Sequence, residues 1–449
     1  MKYNYKLRKT FVIRIEYFGG LLLSNDIADR FILDFETTVF LKSLIKYNYE
    51  DAIAIVNKVF NSSFTPDIDE LLELDIIEEN VIYKEYNTKS LYTFIMQMKI
   101  EVKKAQSLKF IKYPLYVSIY PTSVCQISCS FCYYKDKVRS DNNAKNTLSI
   151  SKWKLLIDEL SENNVLGLSI LGGEPTCYKY IDELLIYTQI KNINTSITTN
   201  AVDIKDSTFD IMCNAENLII SVSLQSVGET NKILTGVKAE VVMHNIRKFI
   251  NNGKIPQINT VVTTQSLSEF IDLLDWCEKI GIEEAFFNIY NTIEDKSTRS
   301  FSDYKDLEYS LNNYIDQNKY NVNITFVGCL YYSVFRDELE NPIENEFDKY
   351  LYGCEAAKSK VEIMPNGDVL PCVMYSKTND SILFNTLEDI WMNSALFYEL
   401  RNSKNLDSLC VKCNYYNFCN GGCPIQNLEE NNMFKKGDMR CPNLYKKQI

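Results

Sequence analysis

Clustered cysteines are the residues of this sequence with the clearest capacity for chemistry. The chain has 14 Cys and a single His, and seven of the Cys lie in the last 96 residues. Soft thiolate ligands without imidazole argue against most His-rich zinc or copper sites. If the protein is cytoplasmic, its thiols stay reduced, and cysteines at short spacings then indicate metal binding or catalysis before disulfides.

The first cluster is Cys125-x3-Cys129-x2-Cys132. Three thiolates at this spacing on a tight loop can hold three corners of a cubic iron–sulfur cluster. No fourth Cys follows closely in the sequence, so one iron would stay open for a ligand from outside the protein. A disulfide or a zinc knuckle is the alternative.

A second motif, Gly172-Gly173-Glu174-Pro175, follows the next predicted strand. Glycines let the backbone approach a ligand closely, and the Glu174 carboxylate can bind an ammonium group. Alone the motif would predict only a turn, but it lies one strand–helix unit after the Cys loop. The two loops are therefore expected to form one site.

The third constellation occupies the C-terminal region. Cys354 precedes an Asn366-Gly367 turn flanked by apolar residues, which predicts a hairpin that brings Cys372 back near the preceding strand. A pair of zinc ribbons is the alternative to iron–sulfur centres. The other cysteines of this region have the spacing C-x2-C-x5-C-x3-C, followed by a last Cys. They are Cys410, Cys413, Cys419, Cys423 and Cys441.

The elements that must position the first two motifs alternate between strand and helix. Six such units predict an α/β fold, a partial (β/α)6 TIM-like barrel, in which chemistry sits on loops after the strands. The predicted strands are 115–120, 166–171, 195–199, 217–224, 256–263 and 283–290. The predicted helices are 151–163, 180–190, 206–214, 241–252, 267–280 and 304–318.

The N-terminal region predicts a winged-helix-like domain, with three short strands over residues 11–35 and three amphipathic helices after them. Residues 1–80 contain 9 Lys and Arg against 14 Asp and Glu, which disfavours DNA, whereas an edge strand beside a helix can dock an extended peptide. The expected domains are 1–84, a charged and partly helical linker at 85–112, the barrel at 113–320, and a loop-rich iron–sulfur domain at 321–449.

Composition sets the remaining limits. Hydrophobic residues make up 46% and charged residues 24% of the chain, and the net charge is −11. These values exclude a disordered or fibrous class. The sequence has no apolar run of membrane-spanning length and no signal peptide, so we expect a cytoplasmic protein without membrane or nucleic-acid partners.

The first two motifs together resemble the radical SAM superfamily, with Phe131 as the aromatic residue of C-x3-C-x-aromatic-C. The resemblance implies that Phe131 also contacts the cofactor. The resemblance implies that Cys125, Cys129 and Cys132 ligate a 4Fe-4S cluster whose open iron binds S-adenosylmethionine. It implies that Gly172, Gly173, Glu174 and Pro175 hold the methionine ammonium. Polar residues at the ends of the third and fourth strands would contact the ribose and carboxylate: Thr198, Thr199, Asn200, Ser223 and Gln225.

The C-terminal pattern resembles the SPASM extension of these enzymes, which binds two auxiliary 4Fe-4S clusters. By position, the distal cluster would be held by Cys410, Cys413, Cys419 and Cys441, and the proximal one by Cys354, Cys372 and Cys423. Three clusters need about 12 ligands, of which S-adenosylmethionine supplies one and these motifs ten. The missing proximal ligand is either Cys329 or a substrate thiolate on an open iron.

Residues 1–80 resemble the RiPP recognition element, which binds leader peptides, in the stretches GGLLLSND, DRFILDFETT and LLELDIIEE. Together the resemblances imply a radical SAM/SPASM maturase of a precursor peptide, supplied with electrons by a donor such as ferredoxin or flavodoxin. A thioether crosslink is the leading reaction, with a carbon–carbon crosslink or epimerisation as alternatives. A sulfatase-maturase-like enzyme and a DNA-binding iron–sulfur regulator are the alternative interpretations of the whole chain. Four residues are expected to be structural: Cys177, Cys213, Cys277 and His244.

Overall fold

The computed structural model describes residues 5–9, 11–24, 30–79, 88–134, 147–290, 301–328, 354–375, 378–402, 408–413, 416–424 and 441. The chain forms two compact units, Met1–Tyr113 and Pro114–Ile449. No helix within these described ranges is both long and apolar enough to cross a membrane.

The first unit begins with four strands followed by helices, and the last three of these strands are those of the expected winged-helix-like domain. Strands β2, β3 and β4 form an antiparallel sheet in that order, and β1 pairs with β5. Helices α1 and α2 begin where Asp34 and Asn48 accept hydrogen bonds from the backbone N–H groups of Thr37 and Asp51. The elements are β1 (Tyr5–Leu7), β2 (Phe11–Glu16), β3 (Gly19–Ser24), β4 (Arg30–Leu33), α1 (Phe35–Leu44), α2 (Tyr49–Phe60), α3 (Ile68–Glu73), β5 (Ile77–Glu79) and α4 (Thr88–Gln106).

The segment 85–112, expected to be a linker, contains α4. Phe94, Ile95 and Met98 of this helix are buried in the same hydrophobic core as α1 and α2. A buried ion pair adds a polar tie, because Arg14 contacts Glu16 at 2.7 Å and donates to the Tyr113 carbonyl at 2.7 Å. The helix is therefore part of the first unit's core.

The second unit is organised around a nine-stranded sheet in the order β12-β11-β10-β9-β8-β7-β6-β13-β14. All neighbours are parallel except the β13–β14 hairpin. The six strands of the predicted barrel are present, within a residue of their expected bounds. They are β6 (Tyr116–Ile119), β7 (Gly167–Ile170), β8 (Thr195–Thr199), β9 (Leu218–Ser223), β10 (Gln257–Val262) and β11 (Glu284–Ile289).

Helices connect these strands, as the parallel arrangement requires. The short helix α8 was not expected from the sequence. The helices of the barrel are α5 (Ile150–Glu162), α6 (Ile181–Ile190), α7 (Asp206–Asn214), α8 (Glu229–Thr235), α9 (Ala239–Asn251), α10 (Leu267–Ile280) and α11 (Phe301–Asn318).

The sheet continues past residue 320, where the sequence placed a domain boundary. Strand β12 (Asn323–Val327) pairs with β11, and β13 (Lys360–Ile363) pairs in parallel with β6 at the other side. The expected hairpin is present, since β13 returns as β14 (Val369–Leu370) through a turn in which Gly367 has φ +91°. Three short helices follow: α12 (Leu387–Asn393), α13 (Ala395–Asn402) and α14 (Tyr416–Cys419).

The register gives the sheet one apolar and one polar face around β6. A row of isoleucines, each with no exposed surface, crosses four neighbouring strands: Ile363, Ile119, Ile170 and Ile197. One residue earlier in each strand, the side chains point to the opposite side because strand side chains alternate. We call this second row the polar face, and its members are Glu362, Ser118, Ser169 and Ser196.

Candidate active site

The Cys loop follows β6 directly, as expected for a parallel α/β sheet. Cys125, Cys129 and Cys132 line a pocket that encloses about 900 Å³, part of it open to solvent. The loop is anchored midway, where the Ser130 N–H donates to the carbonyl of Leu234 on α8 at 2.8 Å. The structure therefore brings all three predicted ligands of the first cluster to one cavity.

The Gly-Gly-Glu loop lies against the Cys loop. The Gly173 and Glu174 N–H groups donate to the Thr122 and Val124 carbonyls at 2.9 and 2.7 Å. A Cβ atom at Gly172 would lie 2.6 Å from the Thr122 oxygen, and one at Gly173 only 2.3 Å from the Val124 oxygen. The glycines are thus required by the contact between the two loops, a reason different from the approach of a ligand.

The Glu174 carboxylate connects the ends of β7 and β8. Its Oε1 accepts hydrogen bonds from Thr199 Oγ1 at 2.7 Å and from the Thr176 N–H and hydroxyl at 3.1 and 2.9 Å. Its Oε2 accepts from the Asn200 N–H at 2.8 Å. Burial raises the pKa of Glu174, and these hydrogen bonds oppose the rise. Each carboxylate oxygen can accept about two hydrogen bonds, so Oε2 retains capacity for a further donor.

Seven of the ten predicted S-adenosylmethionine contacts line the pocket: Gly172, Gly173, Glu174, Thr198, Thr199, Asn200 and Ser223. The other three lie elsewhere. Pro175 begins a short 3₁₀ turn, Phe131 is half-buried, and neither lines the pocket. Gln225 is 1% exposed, and its Oε1 accepts from the Val261 N–H at 2.8 Å, so it joins two strands.

The pocket also contains residues that sequence reasoning missed. Asn231 and Thr235 of α8 and Tyr133 of the Cys loop line it. The first two follow the end of β9, so the same rule that selected Ser223 could have found them had α8 been predicted. Cys177 lies beside the pocket, where its thiol donates to Gln126 Oε1 at 3.3 Å and burial raises its pKa to about 11.

The C-terminal cysteines form a second group. Tyr375 is buried, and burial together with the nearby thiolates of Cys354, Cys423 and Cys372 raises its pKa. The Tyr375 N–H donates to the Cys372 carbonyl at 3.0 Å. The three predicted proximal ligands are therefore near enough to Tyr375 for their charges to act on it. Cys329 lies outside the described residues.

Three of the predicted distal ligands, Cys410, Cys413 and Cys419, lie in short turns. The Cys413 N–H donates to the Cys410 carbonyl at 2.9 Å, and the Gly422 N–H donates to the Cys419 carbonyl at 2.9 Å. Cys441 is half-buried, as are Cys413 and Cys419. Of the cysteines expected to be structural, Cys277 is fully buried and Cys213 is half-buried.

The donor sets fit iron–sulfur clusters. The 13 Cys in the described residues are not in disulfide bonds, so their thiols can serve as ligands. Among those residues, no three His, Cys, Asp or Glu side chains converge as ligands of a single ion. In a cubic cluster each Cys binds a different iron, so such convergence is not required.

Comparison with known proteins agrees with this geometry. Residues 119–277 match the family model described as the radical SAM superfamily, and residues 354–414 match that of SPASM, an iron–sulfur cluster-binding domain. The crystal structure of Streptococcus suis SuiB bound to S-adenosylmethionine superposes with a TM-score of 0.85 at 30% identity, covering 97% of this chain and 99% of SuiB. The chain therefore belongs to the radical SAM superfamily.

Two further relatives narrow the class. The antilisterial bacteriocin subtilosin biosynthesis protein AlbA of Bacillus subtilis (strain 168) is 25% identical over 344 residues, which is 72% of this chain and 70% of AlbA. The PqqA peptide cyclase of Bradyrhizobium diazoefficiens is 23% identical, and the match covers 70% of this chain and 82% of the cyclase. The family is that of the radical SAM/SPASM peptide maturases, which are enzymes that bind 4Fe-4S clusters and S-adenosylmethionine.

Proposed function

We propose that this enzyme joins a Cys sulfur to a carbon atom of a ribosomally made precursor peptide. The observation that carries the proposal is that Cys354, Cys372 and Cys423 all lie close enough to Tyr375 to raise its pKa, with the Tyr375 N–H bonded to the Cys372 carbonyl. Three protein thiolates leave one position of a cubic cluster for a fourth ligand. A thiolate of the peptide suits that position, because soft sulfur ligands favour iron–sulfur centres.

The proposal includes three 4Fe-4S clusters. The first is held by Cys125, Cys129 and Cys132, whose loop lines the pocket. The distal cluster is held by Cys410, Cys413, Cys419 and Cys441. If Cys329 completes the proximal cluster, the thiolate must enter by displacing a ligand or bind elsewhere.

When bound and reduced by one electron, S-adenosylmethionine supplies a 5′-deoxyadenosyl radical that takes a hydrogen atom from an unactivated C–H bond. Glu174 accepts the methionine ammonium through its Oε2, and Thr198, Thr199, Asn200 and Ser223 offer hydrogen bonds along the pocket wall. A ferredoxin or flavodoxin supplies the electron. Pro175, Phe131 and Gln225 do not line the pocket, and their contacts with the cofactor stay predictions.

The leader of the precursor binds to the first unit by adding a strand to β4. The crystal structure of SuiB bound to the precursor peptide SuiA matches this chain with a TM-score of 0.86 at 29% identity over 98% of its length. Within the described residues, β4 pairs with β3 alone, and Ile32 on β4 is 36% exposed. A strand with one open edge and an exposed apolar side chain provides the hydrogen bonds and the contact that such a peptide needs.

Ile32→Glu tests the leader site. We expect leader affinity to fall roughly tenfold, because the leader would lose the contact with the exposed third of Ile32 and would have to desolvate a carboxylate instead. Ile45→Glu is the matched control, since Ile45 is 59% exposed at the end of α1. Fluorescence anisotropy with a labelled leader peptide measures both. Equal effects of the two substitutions would exclude β4 as the docking strand.

The reaction is tested with a candidate precursor peptide, to be sought as a short reading frame next to the gene. Anaerobic incubation with S-adenosylmethionine and a reductant is followed by tandem mass spectrometry after thiol alkylation. A thioether removes two hydrogens and one alkylatable thiol per link. A carbon–carbon crosslink removes two hydrogens and no thiol, and epimerisation in D2O adds deuterium without a crosslink, so either result would contradict thioether formation.

A further inference from the structure

The side of the sheet that carries the pocket continues past it onto β10 and β11. Ser223 at the end of β9 lines the pocket, and its register partner on β10 is Asn259. Register partners on neighbouring strands point to the same side of a sheet, so Asn259 lies on the pocket side. On β11 the partner of Asn259 is Phe286, and Asn288 lies two residues further on, again on this side. Two asparagines therefore lie on the strands that follow the pocket wall.

The two asparagine side chains are hydrogen-bonded to each other. Asn288 Nδ2 donates to Asn259 Oδ1. Both residues are half-buried, and within the described residues neither side chain makes a further hydrogen bond. A primary amide has an NH2 group and an oxygen, so the pair leaves one NH2 group and one carbonyl oxygen unused. This holds whichever of the two amides donates, because either arrangement uses one nitrogen and one oxygen.

The surroundings of the pair select for a neutral ligand. The register partners of Asn259 and Asn288 on the adjacent strands are all uncharged. An ion placed among them would lose its hydration without meeting an opposite charge. A neutral group that both donates and accepts a hydrogen bond, such as an amide, matches the pair. These partners are Ser223, Phe286, Val261 and Val327.

One residue of an extended peptide satisfies both unused groups together. In an extended chain the N–H and C=O of a residue point to the same side, which is how antiparallel strands exchange two hydrogen bonds at one residue pair. The free NH2 group of the asparagine pair matches the peptide C=O, and the free oxygen matches the peptide N–H. Because both are main-chain groups, such a contact is independent of the side chain of the bound residue.

We propose that Asn259 and Asn288 form a subsite that holds one extended residue of the core peptide by its main-chain N–H and C=O; this rests on the proposed function. The NH2 group of Asn259 donates to the carbonyl, and the oxygen of Asn288 accepts from the N–H. The subsite fixes the Cα and Cβ of that residue relative to Ser223 and the pocket. It thereby selects which C–H bonds of the peptide lie next to the bound cofactor.

Asn259→Leu and Asn288→Leu test the subsite, since Leu has a similar volume and no hydrogen-bonding group. We expect each to weaken binding of the complete candidate precursor roughly tenfold, because each removes one contact and the partner that orients the other. Affinity for the leader alone should not change. Anisotropy measures both on reconstituted enzyme with S-adenosylmethionine and no reductant. The control is Asn217→Leu, which breaks a similar Asn–Asn hydrogen bond, to Asn192, at the opposite end of β9.

Turnover gives a second measurement. In both subsite variants the KM for the precursor should rise roughly tenfold. Modification should also spread from one residue of the core to its neighbours, because the bound residue is no longer held in one place. Tandem mass spectrometry locates the modified positions. A lower rate with an unchanged KM and an unchanged modification site would indicate a merely structural role for the asparagines.

Ester bonds in the peptide test the main-chain contact on the unaltered enzyme. Precursors with a single ester at successive core positions each lack one N–H group. At one position we expect binding to the parent to weaken roughly fivefold and binding to Asn288→Leu to stay unchanged. If the coupled loss instead comes from replacing an Asn or Gln side chain of the core, the pair binds a side-chain amide and the main-chain subsite is wrong.

Two further outcomes separate the subsite from the proposed function. A parent enzyme that crosslinks the peptide, with Asn259→Leu and Asn288→Leu binding and modifying it equally well, leaves the proposed function intact and removes the subsite. A parent enzyme that neither binds nor modifies the precursor contradicts the proposed function, and the subsite with it.

Discussion

The contact between the Cys loop and Gly173 offers a sharp test of how the pocket is held. In Gly173→Ala the new Cβ would lie 2.3 Å from the Val124 oxygen and 2.6 Å from the Ser123 oxygen. Both are backbone atoms, so relief requires the two loops to separate by about 1 Å. The separation also stretches the 2.7 Å hydrogen bond between the Glu174 N–H and the Val124 carbonyl.

The size of the effect follows from these two losses. Overpacking a tight contact costs about 1–3 kcal/mol, and weakening a buried hydrogen bond adds about 1 kcal/mol. We expect the free energy of unfolding of the cluster-free protein to fall by about 2–4 kcal/mol, measured by urea denaturation. A displacement of about 1 Å in the loop that carries the ligands should also lower the rate of S-adenosylmethionine cleavage roughly 100-fold.

Gly228→Ala is the matched control for this substitution. Gly228 precedes α8, whose residues also line the pocket, but a Cβ atom there would have no heavy atom within 4 Å. We expect its effect on unfolding to stay within about 1 kcal/mol, the order of the preference for Gly over Ala before a helix. If Gly173→Ala is equally harmless, the two loops do not touch as described, and the stated reason for the Gly-Gly pair is wrong.

Three further predictions follow from burial and ligation. Arg14→Met should destabilise the first unit by about 3–5 kcal/mol in urea unfolding because it leaves the buried Glu16 carboxylate without its cation, and a loss below about 1 kcal/mol would contradict this. Burial raises the pKa of Cys277 to about 12, so the native state keeps a proton that the unfolded thiol releases above about pH 8.5. The stability advantage of the parent over Cys277→Ala should therefore shrink by about 2 kcal/mol between about pH 8 and about pH 10, and an unchanged gap would refute the assignment. Reconstituted enzyme should hold about 12 Fe per chain and the double variant Cys410→Ala/Cys413→Ala about 8, and iron analysis showing about 4 Fe in the folded parent would exclude the auxiliary clusters.

The barrel could be predicted because its information is local. Buried parallel strands such as Gly167–Ile170 and Leu218–Ser223 are short apolar runs separated by amphipathic helices. The loops after them contain the Cys and Gly-Gly-Glu motifs, and the right-handed parallel arrangement places these loops at one edge. The use made of a polar side chain is less local: Gln225 has the polar character of a ligand contact, and in the fold its Oε1 accepts a hydrogen bond from the Val261 N–H on β10.

Other features depend on contacts between distant segments. Arg14 and Glu16 alternate with apolar residues in β2, and residues 112–113 bury them through a carbonyl and a backbone N–H group. The connector helix α4 is highly charged in sequence, and its apolar side contributes to the first unit's core. Neither outcome has a local signal, because both partners must be brought together by the fold.

The sequence by itself determined the chemistry of this protein: which thiolates are available, at which spacings, and after which strands. Those properties are local, since ligand type and strand–loop order follow from consecutive residues. Only the tertiary structure decided that β13 joins the barrel sheet beside β6 and sets Glu362 next to Tyr120, 242 positions away in the chain. A strand of four residues has many possible partners, and its place is fixed by the burial of Val361 and Ile363 and by hydrogen bonds that form only in the assembled sheet.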